Sequence, residues 1–318
     1  MKSILQNNVL PLYFETKDQN DNLIKERLGT GFVIGSLGKF ILVATALHIF
    51  KDIEGLIKYL DGSKKLNLSH IPPNDDEGIE TKDIGRHEII GYITINKYGE
   101  QVRCLMDGIF GSNNNTSDVS LMAMRIDHDE YIHVNPLTIS LNLLEKDIGK
   151  TAYIYSFSEN TTNLIDDNKK LYKTTAVLNE NEGKITLIYN EPKKNIETPS
   201  FSLDAPSHGG NSGGLIYRIE NDIPIACGII SHSSSESSID NTGNGYTIGI
   251  QFAHMMRYSY KKAANNDNPL LRIDKMPYLL SFVVHGIINI VESEFLINIK
   301  DNKKIGVQLK EGKYIPIS

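Results

Sequence analysis

Residues 208–217, HGGNSGGLIY, place one serine, Ser212, among four glycines, between a polar loop and an apolar run. Glycine loses more backbone entropy on folding than any other residue, so this many glycines around one serine require a structural reason. The stretch could be a flexible turn, a cradle for a phosphate group or a mount for a nucleophilic serine. The flanking residues, and the chemistry that each interpretation needs, distinguish between the three.

Two well-known glycine patterns fit this stretch poorly. A phosphate-binding loop has a lysine after its glycines and a helix behind them, whereas residues 215–219, LIYRI, favour a strand and contain no lysine. The G-x-S-x-G pattern of α/β hydrolases matches residues 210–214. That turn, however, joins a strand to a helix and has its acid and its histidine downstream of the serine. A strand after Ser212 therefore favours a third arrangement.

In the third arrangement a histidine and an aspartate precede the serine. Serine attacks a carbonyl carbon when a base within hydrogen-bond distance accepts its proton and a third group orients that base. His48 ends an apolar strand, and Asp118 directly precedes an alternating strand. A glycine turn can also point the N–H groups of Gly210 and Ser212 at a developing oxyanion. We therefore predict that His48, Asp118 and Ser212 form a catalytic set for acyl transfer.

Each member of this set has a structural alternative. Ser212 could lie in an ordinary glycine turn, and His48 could be a histidine of the core. Asp118 could cap a turn, and three other aspartates lie close to it in the chain. Those three are Asp107, Asp127 and Asp129.

Three motifs resemble those of the trypsin/chymotrypsin-like serine peptidases: T-A-x-H at residues 45–48, D-V-S-L at 118–121 and G-N-S-G-G at 210–214. GTGFVI at 29–34 is similar to the opening strand of that family, and CGIISH at 227–232 to its substrate-binding strand. The motifs occur in the family's order, and the resemblance covers about residues 10–260.

The resemblance implies a role for each residue of the set. Ser212 would be the nucleophile, His48 the general base and then the general acid, and Asp118 the group that holds the histidine tautomer. Gly210 and Ser212 would donate their N–H groups to the oxyanion. Ser231 would support the aspartate, and the segment that it begins would pair with an extended peptide. The substrate-binding residues implied are Pro206, Ser207, His208, Ser231, His232 and Ser233.

Asn211 shifts the resemblance towards HtrA-type and other bacterial intracellular members, because secreted digestive members have an aspartate at this position. No Ile-Val-Gly-Gly cleavage site precedes GTGFVI. We therefore expect control by loop ordering, by a partner or by oligomer contacts rather than by cleavage of a zymogen. The chain after residue 266 is too short for the PDZ domain of HtrA members.

The primary specificity pocket is not that of trypsin, since Pro206 stands where trypsin-type members have an aspartate. Asp204 or Glu236 could still supply a charge that favours basic residues. His208 or His232 could instead favour an acidic or polar side chain. We rank a small or medium apolar side chain first.

Short apolar runs separated by Gly, Asn, Asp and Ser predict an all-β protein with many strands. The resemblance implies two six-stranded antiparallel β-barrels of the chymotrypsin type. Residues 1–130 would carry the histidine and the aspartate, residues 131–266 the nucleophile, and residues 267–318 an appended tail. Helices are predicted near 45–59 and 250–266, and a hairpin across Asp301–Lys304. The predicted loops are 60–87, 110–118, 158–170 and 231–245.

The composition excludes several classes of function. The net charge is −6, which argues against nucleic acid or an anionic membrane as a partner. Cys104 and Cys227 lie far apart, so neither a disulfide framework nor a zinc site is expected, and no cofactor is required. No signal-peptide pattern and no run approaching the ~18 apolar residues of a membrane span occurs. We therefore expect a cytoplasmic location.

These features together predict a regulated serine endopeptidase that acts on a protein or peptide. Similar intracellular peptidases occur in bacterial stress and defence systems, where an effector that they process is fused to them or encoded beside them. An activating partner or such an effector is the implied partner. The alternatives are a peptide-binding or regulatory module without turnover, and an esterase that acts on small acyl substrates.

Overall fold

The computed structural model is a mostly β protein. It describes residues 2–17, 23–50, 88–95, 98–111, 118–166, 171–189, 199–207, 211–233, 247–257, 267–272, 279–298 and 304–317. Almost all strand pairs are antiparallel, and the helices are short. The predicted all-β class is therefore confirmed.

Six strands of the first half of the chain close on themselves. The order of pairing is β5–β4–β1–β2–β3–β6, and β6 pairs again with β5. Many of their side chains, such as those of Phe14, Phe32 and Met122, are fully buried. The strands are β1 (Val9–Lys17), β2 (Leu23–Leu37), β3 (Phe40–Ala46), β4 (Glu88–Thr94), β5 (Gln101–Gly111) and β6 (Val119–Ile126).

Six strands of the second half close in the same way. The order is β9–β8–β11–β12–β13–β10, and β10 pairs again with β9. The chymotrypsin-like arrangement that the resemblance implied is therefore confirmed. The strands are β8 (Thr151–Asp166), β9 (Leu171–Tyr189), β10 (Ser200–Leu203), β11 (Leu215–Glu220), β12 (Ile223–Ser233) and β13 (Thr247–Ile250); the short β7 (Thr138–Ile139) pairs with β12.

The helices are few and short. Lys2–Asn8 and Leu280–Val284 are α-helices, and Glu145–Asp147, Ala253–Arg257 and Pro269–Arg272 are 3-10 helices. Within the described parts of the chain, none of the helices has the length and apolar character needed to cross a membrane.

The C-terminal residues pack against the first barrel and against the connection between the barrels. The Phe282 ring meets the Phe110 ring of β5 edge-on, with the centroids 6.0 Å apart. The Glu292 carboxylate accepts a hydrogen bond of 2.8 Å from the N–H of Leu141, in the connection between the barrels. Buried Phe282 belongs to the same apolar cluster as the first-barrel core. The last strands form a separate sheet of β14 (Glu294–Asn298), β15 (Lys304–Lys310) and β16 (Lys313–Ile317).

Some local predictions were wrong. Residues 158–166, predicted as a loop, continue β8 and pair with β9. Main-chain hydrogen bonds hold such a two-stranded ribbon together, so its sequence needs no apolar alternation. The helix predicted at 250–266 is a 3-10 turn at Ala253–Arg257, and residues 258–266 lie outside the described chain. Lys2–Asn8, for which no helix was predicted, is helical and buries Leu5.

Other local predictions are met in part. β14 and β15 pair antiparallel from Asn298 and Lys304 outwards, as the predicted hairpin requires, although its turn is outside the described chain. The helix predicted near 45–59 is described only at residues 48–50, which are helical. The parts 60–87, 112–117, 167–170 and 234–245 of the predicted loops fall outside the described residues. Residues 110–111 and 231–233, also predicted as loop, are instead the ends of β5 and β12.

Asp147 forms a buried ion pair in the second barrel. Its Oδ1 lies 3.1 Å from Arg218 Nη1 and 2.7 Å from Lys150 Nζ. Burial raises the pKa of the carboxyl, but hydrogen bonds from Lys150 and the Leu144 N–H, together with the Arg218 charge, outweigh it. The net result is a pKa below the usual value, so the folded protein favours the carboxylate.

Replacing Asp147 by asparagine is expected to lower the free energy of unfolding by about 2–3 kcal/mol at neutral pH, because Arg218 loses its buried partner. A lowered folded-state pKa stabilises the protein above the unfolded value of about 3.9, and this contribution disappears as pH falls through the folded value. Urea unfolding at several pH values should therefore show the difference from wild type shrinking below about pH 4. A difference that stays constant with pH would contradict the ion-pair assignment.

Candidate active site

Strands β3 and β6 bring His48 and Asp118 together at one end of the first barrel. Ala46, the last residue of β3, pairs with Val119, the first residue of β6. Leu47, which follows β3, and Asp118, which precedes β6, are therefore neighbours at the end of the sheet. The Leu47 N–H donates to the Asp118 main-chain oxygen at 2.9 Å, and the His48 N–H donates to Asp118 Oδ1 at 2.8 Å.

The His48 imidazole lies between a carboxylate and a hydroxyl. Nδ1 is 2.7 Å from Asp118 Oδ2, and Nε2 is 2.9 Å from Ser212 Oγ. A carboxylate only accepts hydrogen bonds, so its contact with Nδ1 favours the tautomer with the proton on that nitrogen. Nε2 is then available to accept the hydroxyl proton of Ser212.

Asp118 is buried, and its carboxylate accepts several hydrogen bonds. Its side chain is 5% exposed. Besides the two bonds from His48, it accepts one from the Ser231 hydroxyl at 2.5 Å. A buried carboxylate is costly unless donors surround it. Three donors on its two oxygens meet this requirement and fix its orientation.

Ser231 reaches Asp118 because of a bulge in β12. The pairing of β12 with β13 shifts register between Ile230 and His232, which leaves Ser231 out of the ladder. A β-bulge turns the side chain of the extra residue away from the regular alternation. Ser231 is thus directed at the first barrel, as the resemblance implied.

The other acidic candidates lie elsewhere. The Asp107 carboxylate accepts a hydrogen bond from Asn268 at 3.0 Å and lies 3.8 Å from Arg125. The N–H of Asp127 pairs with the Arg103 carbonyl. Only Asp118, among the candidates that the sequence offered, contacts the His48 side chain in the described structure.

Ser212 lies on a turn between the barrels. Its side chain faces His48, and its carbonyl accepts the Thr30 N–H of the first barrel at 2.9 Å. The following Gly213 donates to the Ile230 carbonyl of β12 at 2.9 Å. The turn is therefore bonded to both barrels within two residues.

Gly213 cannot be replaced without moving this turn. Its φ is +79°, in the left-handed region. A Cβ atom there would lie far inside van der Waals contact with Thr30 O and Thr45 Oγ1. Only glycine combines such a backbone conformation with so close an approach.

Replacing Gly213 by alanine is expected to destabilise the protein by about 3 kcal/mol, from the positive φ and the overpacking together. Hydrolysis by the folded fraction should fall as well, because the clash displaces Ser212 from His48. Thermal unfolding and an activity assay at low temperature measure the two effects separately. The matched control is Gly38→Ala, since Gly38 also has a positive φ but nothing within 4 Å of an added Cβ. Equal activity in both variants would contradict the expected displacement.

The predicted oxyanion donor Gly210 lies outside the described residues, as does His208. The described part of the turn contains Asn211, which is fully buried and whose carbonyl accepts the Gly214 N–H at 2.9 Å. The roles assigned to the N–H groups of Gly210 and Ser212 stay predictions.

The proposed substrate-binding residues lie on two segments. Pro206 is exposed, and its carbonyl accepts a hydrogen bond from the Asn181 amide at 2.9 Å. Ser207 is half-buried. His232 and Ser233 are the last residues of β12, paired with Ile248 and Thr247 of β13.

Of the two acidic residues considered for a basic specificity, one is described. Asp204 is exposed and accepts a hydrogen bond from the Lys184 N–H of β9. Its carboxylate is therefore occupied by the main chain of its own barrel. Glu236 lies outside the described residues.

The two cysteines do not provide a second nucleophile. Neither forms a disulfide, and both are buried. Burial raises the pKa of the Cys227 thiol to about 12 and raises that of Cys104 further, so both stay protonated at neutral pH. Within the residues that the structure describes, no group of three His, Cys, Asp or Glu side chains could hold a metal ion.

Thr30 is a site residue to which the sequence analysis gave no role. It lies in the GTGFVI motif, which was matched only as an opening strand. Thr30 forms hydrogen bonds with Phe157, which is 127 positions away in the chain, and with Thr45, which is 15 positions away. No local sequence pattern predicts these contacts.

Comparison with known proteins assigns this chain to no family. No family model matches the chain. No curated protein matches it in sequence. Among solved structures, the chain is similar to the MamO protease domain from Magnetospirillum magneticum (apo form), with a TM-score of 0.43 and 11% sequence identity. That similarity covers 79% of this chain and 95% of the other.

Proposed function

We propose that this protein is a serine endopeptidase that cleaves peptide bonds through an acyl-enzyme. The observation that supports this most is the hydrogen-bonded series Ser212–His48–Asp118, with 2.9 Å and 2.7 Å between its members. Nucleophile, base and orienting acid in such contact are the requirements for acyl transfer by serine.

The proposed reaction has two halves. In the first, Ser212 Oγ attacks the scissile carbonyl while His48 Nε2 takes its proton, and the Gly210 and Ser212 N–H groups stabilise the oxyanion. His48 then donates that proton to the leaving amine, which departs and leaves the acyl group on Ser212. In the second half, His48 removes a proton from water, and the resulting attack releases the acid and restores the serine. Asp118 stabilises the imidazolium in both halves.

An extended peptide is the proposed form of the substrate. β11 pairs with β12 only as far as Ile229, whereas β13 pairs with it as far as Ser233. The family resemblance implies that a substrate strand binds at residues 231–233 of β12. A substrate strand added there would lie beside Ser212, with main-chain bonds giving affinity and side-chain pockets giving selectivity.

Regulation by a partner, rather than by cleavage, is part of the proposal. Asn211 is neutral and fully buried, so it offers no carboxylate to pair with a newly cut N-terminus. A protein partner or effector in a bacterial cytoplasm, in a stress or defence setting, is what the family resemblance suggests. The unpaired state of Cys104 and Cys227 suits a reducing compartment.

The proposal can be tested by digestion of an unstructured protein mixture, followed by N-terminal sequencing of the products. We expect new N-termini with a shared residue preference before the cut, led by small or medium apolar side chains. A panel of small esters run in parallel separates a peptidase from an esterase. Hydrolysis of esters alone would contradict a peptidase, and full-rate hydrolysis of unstructured protein by the isolated protein would contradict regulation by a partner. No turnover with either panel, together with no fluorophosphonate adduct on Ser212, would contradict the whole proposal.

A further inference from the structure

We infer that Thr30 is a positioning residue that holds Ser212 opposite His48 and ties the nucleophile turn to the second barrel. The inference rests on the proposed function, since it assigns a role in the same reaction. Thr30 lies on β2 and is fully buried.

The main chain of Thr30 joins the two halves of the catalytic set. Its N–H donates to the Ser212 carbonyl at 2.9 Å. Its own carbonyl accepts the Thr45 hydroxyl at 2.8 Å, and Thr45 lies three residues before His48. The turn that carries Ser212 is thus bonded to the N–H of Thr30. The strand that leads to His48 is bonded to the carbonyl of the same residue.

The side chain of Thr30 makes the link to the second barrel. Its hydroxyl oxygen accepts the Phe157 N–H of β8 at 3.0 Å. The pairing of β8 with β9 shifts register immediately after Phe157, where the β8–β9 ribbon (158–166 and 171–178) begins. The Thr30 hydroxyl therefore bonds to the residue at which this ribbon begins, close to Ser212.

The far end of the β8–β9 ribbon returns to the first barrel. Leu171 and Tyr172 pair with Val102 and Gln101 of β5. The Tyr172 ring lies 4.8 Å from the Tyr92 ring of β4. The ribbon is consequently attached to the first barrel at both ends, and Thr30 provides the attachment next to the site.

This attachment matters for the reaction because the nucleophile and its base come from different barrels. A displacement of about 1 Å between reacting groups can cost about a hundredfold in rate. Removing the Thr30 hydroxyl leaves the Phe157 N–H without this acceptor and loosens the contact between the barrels at Ser212. The effect should appear in kcat, since the Thr30 side chain contacts the protein rather than the substrate.

Two substitutions and a control test the inference. Thr30→Val keeps the shape and the backbone N–H but removes the hydroxyl. Thr30→Ser keeps the hydroxyl. Thr186→Val removes a threonine hydroxyl that donates to the Ser202 carbonyl between β9 and β10, away from the catalytic set. We expect a loss in kcat of about tenfold or more for Thr30→Val, with KM changed little, and near wild-type kcat for the other two.

Amide hydrogen exchange provides a readout that does not depend on turnover. Thr30→Val should accelerate exchange at Phe157 and at Gly213, while Thr30→Ser should preserve the protection. Unchanged exchange and kcat in Thr30→Val, or an equal loss of kcat in Thr30→Ser, would overturn the inference. If the wild type neither hydrolyses peptides nor reacts with a fluorophosphonate at Ser212, the proposed function is refuted, and the exchange data still decide whether Thr30 positions the turn.

Discussion

Replacing Ser212 by alanine is expected to reduce kcat for peptide hydrolysis by about 10⁶-fold, because the nucleophile is lost while the rest of the site stays in place. Ser212 Oγ lies 2.9 Å from His48 Nε2, and main-chain atoms of the turn bond to Thr30 and Ile230. The variant should therefore fold normally and still bind peptide. Steady-state kinetics and the thermal unfolding temperature of the same preparation measure both effects.

Ser202→Ala is the matched control for this variant. Ser202 is a buried serine of β10, and its Oγ lies 3.1 Å from the Tyr189 hydroxyl. We expect full activity from it. Substantial residual turnover in Ser212→Ala, above that of a mock preparation, would mean that another group is the nucleophile.

Replacing Asp118 by asparagine is expected to lower kcat by about 10⁴-fold with little change in fold. An amide N–H facing Nδ1 would favour the tautomer with the proton on Nε2, which could not accept the proton of Ser212. The His48 N–H, which donates to Oδ1, would still find an amide oxygen, whereas the Ser231 hydroxyl, which lies at the Oδ2 position, would accept a hydrogen bond from the amide group.

Asp107→Asn is the matched control for Asp118→Asn. Asp107 also lies in the first barrel and is partly buried, but it contacts Asn268 and Arg125. Its substitution should leave kcat unchanged. If Asp118→Asn and Asp107→Asn had the same kcat, whether high or low, this would contradict the role of Asp118 as the orienting group.

The proximity of His48, Asp118 and Ser212 could be predicted from the sequence because each lies beside a recognisable strand or turn. His48 ends β3, Asp118 precedes β6, and a glycine turn surrounds Ser212. The order of these motifs implied the two-barrel fold, and the strand pairings bear it out. Binary patterning alone gave only an all-β class, since it does not encode which strands pair.

The parts that could not be predicted depend on contacts between distant segments. Residues 158–166 are rich in Ser, Asn, Thr and Asp, so their sequence looks like a loop although their main chain pairs with β9. Packing of Phe282 on Phe110 joins residues more than 170 positions apart. The role of Thr30 depends on Phe157 in the other barrel, which no local pattern reveals.

Covalent labelling with a fluorophosphonate, located by mass spectrometry of the digested protein, shows whether Ser212 is an activated nucleophile. We expect one adduct, on Ser212, in the wild-type protein, and its loss in His48→Ala, because the hydroxyl needs its base to react. No adduct under conditions that label a known serine peptidase would mean that Ser212 is not activated. So would an adduct on Ser207 or Ser231 with Ser212 unmodified.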